Sequence, residues 1–365
     1  MRRYIDKVYN MQIPQILFFE LLQIAIGNRK EFLHTPTSEE WRDLFSLSQK
    51  QALTGVAFLG VERLPQELCP PKELLMQWFV ATEQIKTMNG TLDRQAVTVA
   101  EHFKKDGFRS VVLKGQGMAR LYEDGRYRTP GDIDIWLEGS RADIVGYVRR
   151  RCPDCDVVYH HVDFLPIGKT EVEVHFTPSW MNSPVTNRRL QRWFRSFNFH
   201  FPTNNSSELP VPSLAFNRVY ILVHIYRHLF HEGIGLRQFL DYYYVLCQGI
   251  TEEERMKTMD VLCSLGMRRF AGAAMWVLQM VFGMDDRYLL TSPDEHEGRF
   301  LLDEIMLAGN FGKYDERLQH MRGKNILLWG LHKVIRNFRF VRSYPSEVLW
   351  SPLFKIWHYF WRKCI

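Results

Sequence analysis

The chain has 365 residues, of which 46% are hydrophobic, 14% aromatic and 24% charged, with a formal net charge of +6. This composition is typical of a globular protein of roughly two or three domains and excludes a largely disordered chain. The mild positive charge is compatible with an anionic ligand such as a nucleotide, but it is too weak to indicate a nucleic-acid partner.

No stretch of the sequence has the length and purity of a transmembrane helix. The most apolar run, residues 15–27, is too short to span a bilayer and is interrupted by Glu20 and Gln23. The N-terminal sequence also lacks the layout of a signal peptide, so we expect a cytoplasmic protein. The six cysteines do not suggest a disulfide framework. Cys152 and Cys155 could join a histidine in a zinc site, although reduced thiols in a turn are the simpler interpretation.

The first hundred residues predict helices. Thr37 and Glu40 form a capping box before an apolar pattern, and Pro71 opens a long helical pattern that stops at Gly107. From residue 108 the order becomes strand, helix, strand, helix, strand, strand. The first of these helices is closed by Gly125, and the second has Ser140 at its N-cap with Asp143 in the capping-box position. The last two strand patterns, at 156–166 and 170–178, are joined by a turn at Gly168. A polar loop at 202–212 separates this part from further helices.

The sequence therefore predicts an α+β protein with a small mixed sheet between helical regions. We expect an N-terminal helical region over 1–105, an α/β core over 106–205 and a C-terminal helical domain over 213–365.

Two aspartates alternate with apolar residues in the strand pattern at 132–137. Asp132 and Asp134 project to the same side of the strand, with Cα atoms about 6.6 Å apart, while Ile133 and Ile135 point into the core. Carboxylates held in this way suit Mg²⁺, and Glu173, on a later strand pattern with Glu171 and His175 on the same face, offers a third carboxylate. A solvated strand face would produce the same alternation.

The ordered motifs LKGQGMARLY, GDIDIWLE and VEVHF resemble the polymerase-β-like nucleotidyltransferase superfamily, and in particular its largely uncharacterised bacterial branch. The resemblance covers roughly residues 80–260. It implies that Asp132 and Asp134 bind Mg²⁺, with Mn²⁺ as a substitute, and that Glu173 binds metal or activates the acceptor hydroxyl. In the superfamily a Gly-Ser turn holds the triphosphate, whereas this chain has Gly115 and Gln116 at that point.

Several cations near these motifs are candidates for binding phosphate. Lys114 could compensate for the missing hydroxyl as a point charge, and Arg128 could do likewise. Arg237 is spaced for a salt bridge with Asp241 on one helix, but it belongs to the recognised stretch and could instead reach the nucleotide phosphates.

Histidines form a second group of candidates. His224, His228 and His231 fall on one helix face, where a zinc site, a substrate-facing stripe and buried hydrogen-bonded histidines are the alternatives, and the substrate-facing stripe is favoured. Glu232 is expected to point away from this face. His175 is a further substrate-facing candidate. His160 and His161 point to opposite sides of their strand, and the sequence does not show which of them faces the site.

The C-terminal stretch at 348–365 mixes tryptophans with lysines and arginines. This pattern suits a weak contact with a membrane surface, and it also suits a helix that docks on its own domain, which we favour.

The leading functional hypothesis is transfer of a nucleoside monophosphate from a nucleoside triphosphate (NTP) to an acceptor, with release of pyrophosphate. The alternatives are a catalytically degenerate binding module with this fold and a DxD glycosyltransferase that uses a nucleotide sugar. The sequence does not identify the acceptor, which could be a small molecule, a sugar, a lipid, a protein or RNA.

Overall fold

The computed structural model of the protein describes residues 11–167, 170–196, 209–319 and 326–363. Strands β1 to β4 span Ser110–Val112, Ile133–Leu137, His161–Ile167 and Thr170–His175. Helices α1 to α7 span Ile13–Ala25, Ser38–Lys50, Thr54–Glu62, Lys72–Lys105, Gln116–Ala119, Arg141–Arg149 and Pro184–Ser196. Helices α8 to α15 span Leu214–His231, Leu236–Cys247, Glu252–Ser264, Arg268–Phe282, Glu295–Ala308, Glu316–Gln319, Ile326–Phe338 and Pro345–Lys363. The predicted α+β class with helical flanks is confirmed.

The four strands form one mixed sheet in the order β1-β2-β4-β3. β2 runs parallel to β4, whereas the β1–β2 and β3–β4 pairs are antiparallel. Ile133 and Ile135 of β2 are buried in the apolar core, as the alternation predicted. The register places Asp134 directly beside Glu173, so this sheet fixes the relation between the two acidic strands.

Local sequence signals are found where they were expected. The Thr37 and Glu40 side chains form the predicted capping box at the start of α2, and Ser140 caps α6 through the Asp143 N–H. Helix α5 ends at Ala119 and is shorter than the predicted helix, which extended towards Gly125.

Two hydrophobic clusters hold these elements together. The larger one joins N-terminal helices to C-terminal ones, for example through Phe18 and Trp276, and the smaller one packs the sheet against α4 and α6. The N-terminal and C-terminal helices therefore share a core. The division of the chain into three parts, with boundaries at residues 105 and 213, stays a prediction. The expected turn at Gly168 and most of the expected linker at 202–212 lie outside the described residues.

Helix α15 docks on the α/β part of the chain with one face. Phe354, Trp357 and Trp361 surround the ring of Tyr159 with centroid distances of 5.5, 5.8 and 6.2 Å. The opposite face leaves several large apolar side chains exposed: Leu349, Leu353, Ile356, Tyr359 and Phe360. Docking of this helix on its own chain is therefore found, and contact of its outer face with a membrane surface stays a prediction. Within the described ranges, no helix combines the length and apolar character that crossing a bilayer requires.

Candidate active site

A cavity of about 860 Å³ opens beside the acidic edge of the sheet. Its lining includes Asp132, Asp134 and Glu173 together with residues of α8, α9 and α15. The strands thus supply one part of the cavity wall, and helices and loops from distant parts of the sequence supply the rest.

The three predicted carboxylates converge at this cavity. Asp132 and Asp134 follow the predicted parity, and Glu173 comes from the adjacent parallel strand, so that one oxygen of each lies within 4.8 Å of the others. Asp134 is buried, whereas Asp132 is partly exposed and has no ion pair with the described residues. Oxygen donors at this spacing fit a hard divalent cation such as Mg²⁺, because a cation relieves the repulsion between the carboxylates.

Basic side chains of the protein already contact the buried part of this cluster. Lys114 Nζ lies 2.8 Å and His175 Nε2 lies 2.9 Å from Asp134 Oδ1, and the same His175 nitrogen lies 3.3 Å from Glu173 Oε2. Burial would raise the pKa of Asp134, but Lys114 and His175 outweigh it and hold the pKa below its usual value. Burial also opposes ionisation of Glu173, yet the hydrogen bond from His175 and the charge of Lys114 lower its pKa to about 2. Both carboxylates are therefore ionised at neutral pH.

The turn between β1 and α5 requires a glycine. Gly115 adopts φ +53, a conformation that residues with a side chain rarely adopt, and it lines the cavity. The Gln116 side chain instead turns towards α4, where its amide donates to Asp93 Oδ1 at 2.5 Å. The residue that replaces the serine of the superfamily is thus engaged in packing, and Gly115 and Lys114 are the turn residues at the cavity.

The two arginine candidates have different partners from those expected. Arg128 forms a bidentate pair with Asp241, at 2.7 Å from Nε to Oδ1 and 2.8 Å from Nη2 to Oδ2. The predicted salt bridge between Arg237 and Asp241 is therefore wrong, since the tertiary partner occupies both carboxylate oxygens. Arg237 donates instead to the carbonyls of Thr129 and Pro130, at 3.1 and 3.2 Å, and thereby fastens the loop that leads to Asp132.

The histidines of α8 line the same cavity as the carboxylates. The rings of His224 and His228 lie 4.3 Å apart, and burial lowers the pKa of His224 well below its usual value. Burial and the neighbouring Arg227 lower the pKa of His228 to about 4, so these rings are neutral. The expectation that Glu232 points away was wrong, because Glu232 Oε2 lies 3.2 Å from His228 Nδ1 as the helix ends and the chain bends.

Sequence reasoning missed Arg227 and Trp180. The Arg227 guanidinium lies 4.0 Å from the centroid of the Trp180 ring and donates to His228 Nε2 at 2.9 Å, with no carboxylate within 4.0 Å in the described part of the chain. Helical spacing could have identified Arg227, because it follows His224 by three residues on the same face. No local signal marks Trp180, which reaches the cavity from the segment after β4.

The structure also shows how His160 and His161 are placed relative to the site. His161 faces Glu173, with 3.2 Å from Nδ1 to Oε2, and His160 turns into the cavity from the bend before the strand. Among the described residues, the groups close enough to share an ion contain these histidines and the carboxylates but neither Cys152 nor Cys155. The zinc site considered for that cysteine pair is therefore not formed by the described residues.

Comparison with known proteins identifies the family of the chain. A family model described as "Uncharacterised nucleotidyltransferase" matches residues 37–283, which is more than half of the chain. The chain belongs to this nucleotidyltransferase family. No curated protein and no solved structure matches it. The matched stretch contains the carboxylates, the Gly115 turn and the histidine face of α8.

Proposed function

We propose that the protein transfers a nucleoside monophosphate from an NTP to an acceptor group, with release of pyrophosphate, and that the reaction depends on Mg²⁺ or Mn²⁺. The observation that supports this most strongly is the convergence of Asp132, Asp134 and Glu173 beside a cavity large enough for a nucleotide. Membership of a nucleotidyltransferase family supports the same reaction class.

In this proposal the three carboxylates hold the divalent cation. A cation bound there would neutralise the charge that develops on the transferred phosphate. His175 holds Asp134 and Glu173 in place through contacts of 2.9 and 3.3 Å. The carboxylate cluster is therefore preorganised by a side chain that itself is buried.

Cations of the chain bind the phosphates in this proposal. Lys114 reaches the cluster from the Gly115 turn, and Arg237 lines the cavity with no carboxylate within 4.0 Å in the described ranges. Arg128 acts indirectly, because its guanidinium is engaged by Asp241 and its role is to position the loop before β2. In this proposal the acceptor binds beside Glu173, in the cavity that His224, His228 and Arg227 also line.

The direct test is Mg²⁺-dependent nucleotide binding to the wild type and to Asp132→Asn. Asp132 is the informative carboxylate, because Asp134→Asn would leave the partly buried Lys114 without its partner and confuse binding with folding. An NTP at a hundred times its Kd should stabilise the wild type by about 2.7 kcal/mol when Mg²⁺ is present.

We expect Asp132→Asn to lose this Mg²⁺-dependent stabilisation and the release of pyrophosphate, and the exposed control Asp260→Asn to retain both. Equal nucleotide binding and equal Mg²⁺ dependence in the wild type and Asp132→Asn would reject the proposal. If Asp132→Asn behaves as expected, a thermal-shift screen of nucleotides with Mg²⁺, followed by a screen of candidate acceptors, would identify the substrates.

A catalytically degenerate binding module is the second candidate, and one observation favours it. Lys114 Nζ and His175 Nε2 lie 2.8 and 2.9 Å from Asp134 Oδ1, where a metal ion would otherwise supply the positive charge. In that case NTP binding would be independent of Mg²⁺ and would survive Asp132→Asn. The glycosyltransferase alternative is disfavoured, because the described part of the chain has a single strand before the aspartates and the family is one of nucleotidyltransferases. Tighter binding of a sugar nucleotide than of an NTP would favour the glycosyltransferase alternative.

A further inference from the structure

We propose that His160, His161, His175 and Glu173 form a second cation site, selective for a zinc-like transition metal rather than for Mg²⁺. The site shares Glu173 with the proposed Mg²⁺ cluster, but its existence does not depend on nucleotidyl transfer. It is distinct in chemistry, because three of its four donors are imidazole nitrogens.

The donor atoms have the spacing of a closed coordination shell. His161 Nδ1 lies 3.2 Å from His160 Nε2 and 3.2 Å from Glu173 Oε2, and His175 Nε2 lies 3.3 Å from the same oxygen. All four donors lie within 4.8 Å of one another. Ligands around a tetrahedral zinc ion, at about 2.0–2.1 Å from the metal, are separated by roughly 3.3 Å.

The fold holds these donors in place through the β3–β4 pairing. His161 and His175 are directly opposite in the antiparallel register. The carbonyl of His160 accepts the N–H groups of Phe176 and Thr177 at 3.1 and 3.3 Å, which fastens the bend before β3 to the end of β4. The donors therefore come from rigid backbone rather than from a loose loop.

Hydrogen bonding within the protein satisfies only part of this cluster. The buried nitrogens His160 Nδ1 and His175 Nδ1 have no hydrogen-bond partner in the described part of the chain. His160 Nε2 lies 3.2 Å from His161 Nδ1, and His175 Nε2 lies 3.3 Å from Glu173 Oε2 and 2.9 Å from Asp134 Oδ1, a contact that a metal ion at this nitrogen would replace. Asp163 Oδ1 lies 3.5 Å from His161 Nε2, behind the donor nitrogen. Histidines that bind a metal are commonly oriented by a carboxylate at this second nitrogen.

The donor set determines which ion the site selects. Mg²⁺ prefers oxygen ligands and retains water, whereas imidazole nitrogen suits Zn²⁺, Co²⁺ and Ni²⁺. The cavity would thus hold a hard cation at the aspartates and a softer one at the histidines, with Glu173 between them.

The test is titration of the metal-free full-length protein with Co²⁺, whose tetrahedral complexes absorb strongly in visible light, together with metal analysis after loading with Zn²⁺. We expect stoichiometric Co²⁺ binding that excess Mg²⁺ does not displace. His161→Gln and His160→Gln should lose the absorption, and His161 is the safer variant because its side chain is partly exposed. His224→Gln, in the same cavity but outside the cluster, is the matched control and should bind Co²⁺ like the wild type.

Two further variants separate this inference from the proposed function. Asp163→Asn should weaken Co²⁺ binding about 10–100-fold through the histidine that it orients. Asp132→Asn should lose Mg²⁺-dependent nucleotide binding yet keep the Co²⁺ absorption. Absence of Co²⁺ absorption in the wild type, or its retention at wild-type affinity in folded His160→Gln and His161→Gln, would overturn the second site whatever the outcome with nucleotides.

Discussion

The buried pair between Arg128 and Asp241 gives a sharp test of how the helical part supports the site. Both side chains are almost inaccessible, at 4% and 7% exposure, and Tyr122 also donates to Asp241 Oδ1 at 2.7 Å. Asp241→Asn keeps the shape of the side chain but removes its charge, so it leaves the Arg128 guanidinium buried without a counter-ion. Breaking a buried pair in this way costs about 3–5 kcal/mol, whereas an exposed pair contributes about 0–1 kcal/mol.

The chain offers a matched control at a similar contact distance. Arg63 Nη2 lies 2.6 Å from Glu123 Oε2, but the Glu123 side chain is 70% exposed. We therefore expect Asp241→Asn to lower the free energy of unfolding by about 3–5 kcal/mol and Glu123→Gln to lower it by less than about 1 kcal/mol. Urea denaturation followed by tryptophan fluorescence measures both.

The reasoning would be refuted if the two variants destabilised the protein equally, or if Asp241→Asn cost less than about 1 kcal/mol. The apolar double variant Arg128→Met/Asp241→Leu adds a second check. It should recover most of the loss, because the penalty comes from an unpaired buried charge rather than from the absence of the pair.

Three other predictions concern stability and surface contacts. Gly55→Ala should destabilise the protein by about 1–3 kcal/mol, because an added Cβ would collide with the carbonyl of Tyr127, whereas Gly90→Ala, with no atom nearer than 3.9 Å, should stabilise it by up to about 1 kcal/mol in the same denaturation assay. Burial lowers the pKa of Lys355 from 10.5 to about 8, so the unfolded chain binds more protons between these values. The lysine therefore makes stability rise with pH across that window, and Lys355→Met should remove the rise and be more stable at pH 7; an unchanged pH profile would contradict this. If the outer face of α15 contacts membranes, the full chain should co-sediment with anionic vesicles. Phe360 is exposed on this face, so Phe360→Ser should bind the vesicles less. Equal sedimentation of the two proteins would contradict a membrane contact through this face.

Local sequence signals predicted the elements of the fold well. The Thr37 cap, the Ser140 cap and the long helix after Pro71 depend on neighbouring residues, and all three are found. The alternation around Asp134 correctly placed Ile133 and Ile135 in the apolar core, because side chains on a strand must alternate whatever the rest of the chain does.

Partners across long sequence separations could not be predicted in this way. Asp241 is 113 residues from Arg128, and only the tertiary fold decides that this pair forms in place of the local one with Arg237. Glu232 was misplaced for a related reason, since helical geometry no longer applies where α8 ends. The placement of Glu173 beside Asp134 was expected from the strand pattern and from the family resemblance, and the register of the parallel strands supplies the contact that spacing alone could not.

The cavity wall extends past the end of the family match at residue 283. Asn310, Phe311, Lys313 and Tyr314 line it from one later segment, and Phe354, Lys355 and His358 line it from another. The acidic residues and this part of the wall are thus encoded in separate parts of the chain. Substitutions in these late segments can consequently retune which molecule the pocket admits while the carboxylates stay unchanged.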